Sequence, residues 1–101
     1  MYLEGVRKVT VEKNKKLEMQ YYITELDHYI ADHLTQIYGI EIINKVDEKG
    51  GTYYEKECVT NLSFSKDYVQ RLINILMNNL VTPVCMIEII DELMNDSQLA
   101  G

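Results

Sequence analysis

Two histidines each follow an aspartate, as Asp27-His28 and Asp32-His33. Imidazole nitrogens beside carboxylates are metal-ligand chemistry, and Asp32 or His33 has the right type for acid–base work. The spacing argues against a joint site. Five residues turn two side chains about 140° apart on a helix, whereas paired ligands on a helix stand four apart. The plainer reading pairs His28 with Asp32, four residues on, and packs His33. Glu88, Asp91, Glu92 and Asp96 make a second acidic group. A cation needs oxygens that converge on a point, and one helical stripe does not supply that. A solvated face is the expectation. Gly50-Gly51 opens no helix, and no serine sits in a strand-to-helix elbow between glycines. With no converging group, neither catalysis nor a cofactor is expected.

Tyrosine is the compositional excess: eight, against one Phe and no Trp. Tyr21-Tyr22 and Tyr53-Tyr54 are adjacent pairs, and neighbours on a strand point to opposite faces. One ring of each pair is therefore expected inside. Tyr22 and Tyr53 are expected on the open sheet face beside Ile43, where their mixed character suits an interface. Against this, scattered exposed aromatics need have no role.

These residues must be positioned by strands and by a C-terminal helical pair. The spacing predicts a helical hairpin over 65–95. Ser65 is placed to cap the first helix, Asp67 meets the positive end of its dipole, and Phe64 and Val69 stand at staple spacing. Val69, Leu72, Ile73, Leu76 and Leu80 form its apolar face, and it stops near Asn79. Thr82 is expected to cap the second helix, with Pro83 at its first position and Val81 and Met86 as its staple. So short a connection predicts antiparallel neighbours.

The second helix carries Val84, Met86, Ile87, Ile89, Ile90, Leu93 and Met94. That is more than one stripe. Met86, Ile90, Leu93 and Met94 are therefore expected to meet a second subunit or another protein. The alternative is that the segment from Leu26 to Leu34 folds over the helix.

Upstream, residues 6–13 and 17–23 alternate in polarity, the mark of half-buried strands. The turn between them holds Asn14, which tolerates a left-handed conformation. Leu26, Tyr29, Ile30, His33, Leu34 and Ile37 fit helical spacing and predict a short helix over 26–36, with a strand extension and loop as the rival. Residues 38–46 alternate again, and Asp47-Glu48-Lys49-Gly50-Gly51 is a turn. Residues 52–60 complete a second hairpin, with Tyr54, Cys58 and Leu62 inward and Tyr53, Glu55 and Glu57 outward. The expected fold is one α+β domain over 1–101: an antiparallel sheet of about four strands in two hairpins over 1–62, the helical pair on one face, and a frayed tail at 96–101.

At 101 residues the chain suits one modest core. Its formal charge of −6 argues against a nucleic-acid partner. Lys8, Lys13, Lys15 and Lys16 cluster, but Glu12 and Glu18 dilute them. No apolar run is long enough to span a bilayer, and the first residues lack a signal-peptide core, so no membrane role is expected. Cys58 and Cys85 read as small buried hydrophobes in a reducing, cytoplasmic compartment rather than as a disulfide.

Tyr38-Gly39-Ile40-Glu41-Ile42, the glycine hairpin, Ser65-Lys66-Asp67, and Thr82-Pro83 leading to Ile89-Ile90-Asp91-Glu92-Leu93 resemble a small family of uncharacterised proteins from spore-forming anaerobic Gram-positive bacteria. The resemblance runs from about Leu17 onward. It implies a cytoplasmic bacterial protein and no particular chemistry.

The functional expectation is a small non-catalytic interaction or regulatory module. It would self-associate or dock a protein partner through the last helix. A small-ligand sensor, with a pocket between sheet and helices lined by Tyr21, Tyr38, Tyr54 and His33, is the second reading. An acidic inhibitor imitating nucleic acid is the third.

Overall fold

A computed structural model describes residues 1–95; the tail expected to fray at 96–101 lies outside the described residues. Four strands run β1 (Tyr2–Glu12), β2 (Lys15–Ile30), β3 (His33–Glu48) and β4 (Gly51–Ser63), followed by α1 (Lys66–Asn78) and α2 (Pro83–Met94). The strands form one antiparallel sheet in the order β1-β2-β3-β4. The α+β expectation holds, with three successive hairpins instead of two.

The helix expected over 26–36 is replaced by the end of the β2–β3 hairpin. Their pairing runs unbroken from Lys16 opposite Asp47 to Ile30 opposite His33. Ala31 and Asp32 close it with φ of 48° and 66°. Positive φ at both central residues matches the twist of the flanking strands. Asn-Gly usually marks such a turn, so Ala-Asp gave no local warning. Asn14 is not among the residues with positive φ.

Strands of sixteen residues are long. At about 3.3 Å per residue each spans roughly 53 Å, and the molecule measures 53 × 28 × 19 Å. Its radius of gyration is 15.2 Å, above the roughly 13 Å of a compact 100-residue domain.

The core lies between one sheet face and the helices. Met19, Tyr21 and Ile23 of β2 and Ile40 and Ile42 of β3 meet Val69, Leu72, Ile73, Leu76 and Met77 of α1, and Met86 and Ile90 of α2. The helices rest on the sheet more than on each other, with α2 leaning chiefly on β4. Leu80, expected on the α1 face, has left the helix with φ 52° and is exposed; Met77 is buried instead. The Val81 N–H donates to Leu76 O at 3.0 Å, and the Leu80 N–H to Met77 O at 3.2 Å. This is the Schellman ending, in which a left-handed residue lets the chain satisfy the last carbonyls.

Ser65 caps α1 by accepting from the Tyr68 N–H at 3.2 Å. Thr82 takes the capping conformation, but its side chain makes no capping bond. At the pairing irregularity between Tyr38 and Ile40, β4 crosses close over Gly39. A Cβ there would collide with the Val59 carbonyl oxygen.

Candidate functional site

The residues expected to bind a partner divide. Met86 is fully buried and Ile90 is 2% exposed, both in the core, while Leu93 is half-buried against it. Only Met94 of the four is exposed. The side of α2 expected to face a partner, with Met86 and Ile90, is the side that packs on the sheet. The surplus apolar surface of α2 is Val84, Ile87 and Met94.

Of the sheet residues, Tyr22 and Ile43 lie on the open face as expected, and Tyr53 does not. Tyr22 is half-buried and donates to Gln20 Oε1 at 2.8 Å; Ile43 is half-buried. Tyr53 lies on the helix-side face, not the open one. It pairs with buried Val46, and cross-strand partners share a face. Its hydroxyl donates to Glu48 Oε1 at 3.4 Å, and burial is the first cause raising its pKa. Tyr54 is the ring on the open face, opposite Lys45, and is exposed. By the same register Cys58, opposite Glu41, lies on the open face, and Glu55 and Glu57 lie on the helix side. The expected facing is inverted over residues 53–58, where there is no clear apolar row, whereas Leu62, beyond the pairing irregularity, packs against the core as expected.

The Asp-His pairs are reorganised by the strand geometry. His28 stands opposite Thr35, and His33 opposite Ile30. The helical step between His28 and Asp32 disappears, and both histidines come to one face of the hairpin. Asp27 instead accepts from Gln36 Nε2 at 2.9 Å, and the His28 ring lies 5.5 Å from that of Phe64. Among the described residues no three metal-ligating side chains gather.

The sensor residues do not converge. Tyr21 is buried under the helices, Tyr54 is exposed on the opposite face, and His33 is exposed beside the turn. Asn44 Oδ1 and Thr24 Oγ1 are buried without partners among the described residues. They pair with Met19 and Gly39 on opposite faces, so they form no joint polar pocket.

What the tertiary structure does gather is an arm. β1 last pairs with β2 at Ile23, and β4 last pairs with β3 at Tyr38. Beyond those pairs, β2 and β3 continue as a two-stranded ribbon. It exposes Leu26, Tyr29, Ile30 and Leu34, with Tyr29 at 69%. At its base Glu25 accepts from the hydroxyls of Tyr2 at 2.8 Å and Tyr38 at 3.5 Å. The bond to Glu25 raises the pKa of Tyr2, and burial chiefly raises that of Tyr38. Lys66 Nζ lies 5.1 Å from the Tyr2 ring centroid. The helical spacing of these four apolar residues does not survive, and the ribbon puts Leu26 and Ile30 on one face and Tyr29 and Leu34 on the other.

Cys58 is half-buried, Cys85 is exposed, and both are free thiols, so the expectation that both are buried fails at Cys85. No helix among the described residues is long and apolar enough to cross a membrane. No curated protein and no solved structure matches the chain. A family model described as a family of unknown function does match, over residues 1–96, and the chain belongs to that family, DUF6514.

Proposed function

We propose that this chain is a small protein-binding module that acts by docking, with the β2–β3 arm as its principal contact. The observation that carries this reading is the exposure of Leu26, Tyr29, Ile30 and Leu34 on a ribbon lying beyond the pairing of β1 and β4. A side chain of this kind gains about 1.5–3 kcal/mol on full burial. A two-stranded ribbon is also marginal in water unless it packs on something. Val84, Ile87 and Met94 of α2 offer a second, smaller apolar surface. The sensor reading has no converged pocket behind it. The nucleic-acid mimic lacks a single-sign face, since lysines interleave with the acids.

The compartment we propose is the cytoplasm of a bacterium of the spore-forming anaerobic type, supported by the resemblance and by the free thiols.

Light scattering and affinity capture from the native cell test the docking reading. Wild type is compared with Tyr29→Ser/Leu34→Ser and with Ile87→Glu. Association or capture lost only in the arm variant is the expected result. A wild-type chain that stays monomeric and captures nothing overturns it.

A further inference from the structure

The inference here rests on the docking reading and names the occupant of the arm. We infer that a second copy of this chain pairs antiparallel with the β3 edge of the arm, about a two-fold axis that sets Leu34 opposite Leu34 of the second copy.

The edge is left open by the chain itself. Ser63 opposite Tyr38 is the last pair between β4 and β3, and Ser65 then caps α1. Among the described residues no strand lies beyond residues 33–37 on that side. The two-residue loop Ala31-Asp32 closes on a hydrogen-bonded pair, Ile30 with His33, and the sense alternates along an antiparallel strand. His33 and Thr35 therefore turn their N–H and C=O towards β2. Leu34 and Gln36 turn theirs outward.

Charge separates this edge from the others. Residues 33–37 contain no Asp, Glu, Lys, Arg or Pro, and the pairing of β2 with β3 has no irregularity. Charges, prolines and bulges are what guard free edges. By contrast β4 carries Glu55, Lys56 and Glu57, and β1 carries Arg7, Lys8 and two irregularities. The other edge of the arm, on β2 beyond Ile23, is centred on Asp27. A second copy added there would set Asp27 against itself, and like charges directly opposite destabilise a strand pair.

The register follows from what each row would hold, because cross-strand partners share a face. With Leu34 at the axis, the Tyr29–Leu34 pair of one copy runs on into the same pair of the other. Tyr29 and Leu34 are 69% and 54% exposed in the single chain, and here they form one apolar row across four strands. Glu25 and Asp27 stay on the outer strands, and Asp32 falls opposite Gln36. An axis at Thr35 would break the row by placing Leu34 opposite Gln36. It would also bring the second copy to Ile37, where the chain leaves β4 with the Phe64 ring 5.5 Å from His28. So short a pairing buries less than the roughly 1,200 Å² of stable complexes, so the dimer is expected to be weak and concentration-dependent.

The test follows dimerisation of the full chain by sedimentation across a range of concentrations. Leu34 is exposed, so its variants keep the fold. Leu34→Lys and Leu34→Glu should each dimerise roughly tenfold or more weakly than wild type, since like charges meet at the axis. An equimolar mixture of the two should recover the dimer, with opposite charges now facing each other. In a Cys58→Ser/Cys85→Ser background, Leu34→Cys should form a covalent dimer on mild oxidation. Hydrogen-bonded partners stand about 5.5 Å apart between Cα atoms, within disulfide reach. Asp27→Cys and Val84→Cys should cross-link roughly tenfold more slowly.

A dimer undisturbed by Leu34→Lys, a mixture that stays monomeric, or Leu34→Cys cross-linking no faster than the two controls overturns the inference. So does a wild type that is monomeric at every concentration. If that monomer captures another protein through Tyr29 and Leu34, the docking reading stands alone. If it captures nothing, both fall.

Discussion

The hydroxyl of Tyr21, in the middle of β2, donates to the backbone carbonyl of Val81 across 2.9 Å and sixty residues of chain. Both residues are buried. This bond ties the sheet to the link between the helices, and it satisfies a carbonyl that lies just past the end of α1. Tyr21→Phe should cost about 1–3 kcal/mol, because it leaves a buried acceptor unpaired. Urea unfolding of the two proteins measures it.

Burial also pushes the Tyr21 pKa up to about 12. The folded chain therefore holds this proton more tightly than the unfolded chain, whose tyrosine ionises near its ordinary value of 10.0. The contribution is fully present below pH 10 and is lost as pH rises from 10 towards 12. The stability difference between wild type and Tyr21→Phe should shrink across that window and stay constant below it.

Leu80 holds a left-handed conformation without the packing that would justify a leucine there. Its φ is 52° and it is 44% exposed. Glycine adopts this conformation without the Cβ penalty of about 1–2 kcal/mol. Leu80→Gly should raise stability by roughly 0.5–1 kcal/mol after the extra freedom of the unfolded glycine is counted. A thermal melt that moves down would contradict the Schellman assignment.

The arm turn is likewise built from residues poorly suited to it. Ala31→Asn with Asp32→Gly supplies the pair that prefers positive φ at both positions. About 1 kcal/mol of stabilisation is expected, together with slower amide exchange over residues 26–36. A helical signal from that segment would refute the hairpin.

Ile90 and Ile87 stand three residues apart on α2 with opposite fates. Ile90 is in the core and Ile87 is exposed. Ile90→Glu buries a charge without a partner and should cost more than about 3 kcal/mol, enough to threaten folding. Ile87→Glu should stay within about 0.5 kcal/mol of wild type. Circular dichroism of the two variants decides.

The two thiols should differ in reactivity. The Cys58 pKa is raised, first by burial and then by Glu41, whereas Cys85 is exposed at the start of α2. Thiolate is the nucleophile. A thiol reagent at pH 8 should label Cys85 well before Cys58, read by mass spectrometry. Equal rates would show that the Cys58 environment is open.

Much of this fold is written locally. Ser65, Pro83 and the apolar steps of residues 69–76 determine where both helices begin and which face of α1 is covered, because capping and 3.6-residue periodicity act within a few residues. Alternation in residues 17–23 and 38–46 likewise marks strands before any partner is known. The arm was not legible in this way. Leu26, Tyr29, Ile30, His33, Leu34 and Ile37 satisfy a helical template, and Ala31-Asp32 has no turn signature. Pairing along the whole of β2 and β3 overrides both local signals.

Facing was the other gap. Residues 53–58 carry tyrosines and charged residues at both parities, so only the register with β3 decides that Tyr53 and not Tyr54 shares the helix side. For α2, apolar residues nearly all the way round hide which side is core. Docking on β4 and β3 buries Met86 and Ile90 and leaves Val84 and Ile87 in solvent. The sequence by itself determined the helix starts and the kinds of element outside residues 26–36. Tertiary structure alone decided strand order, facing and the projecting arm, because these depend on contacts between residues far apart in the chain, where local preference carries no information.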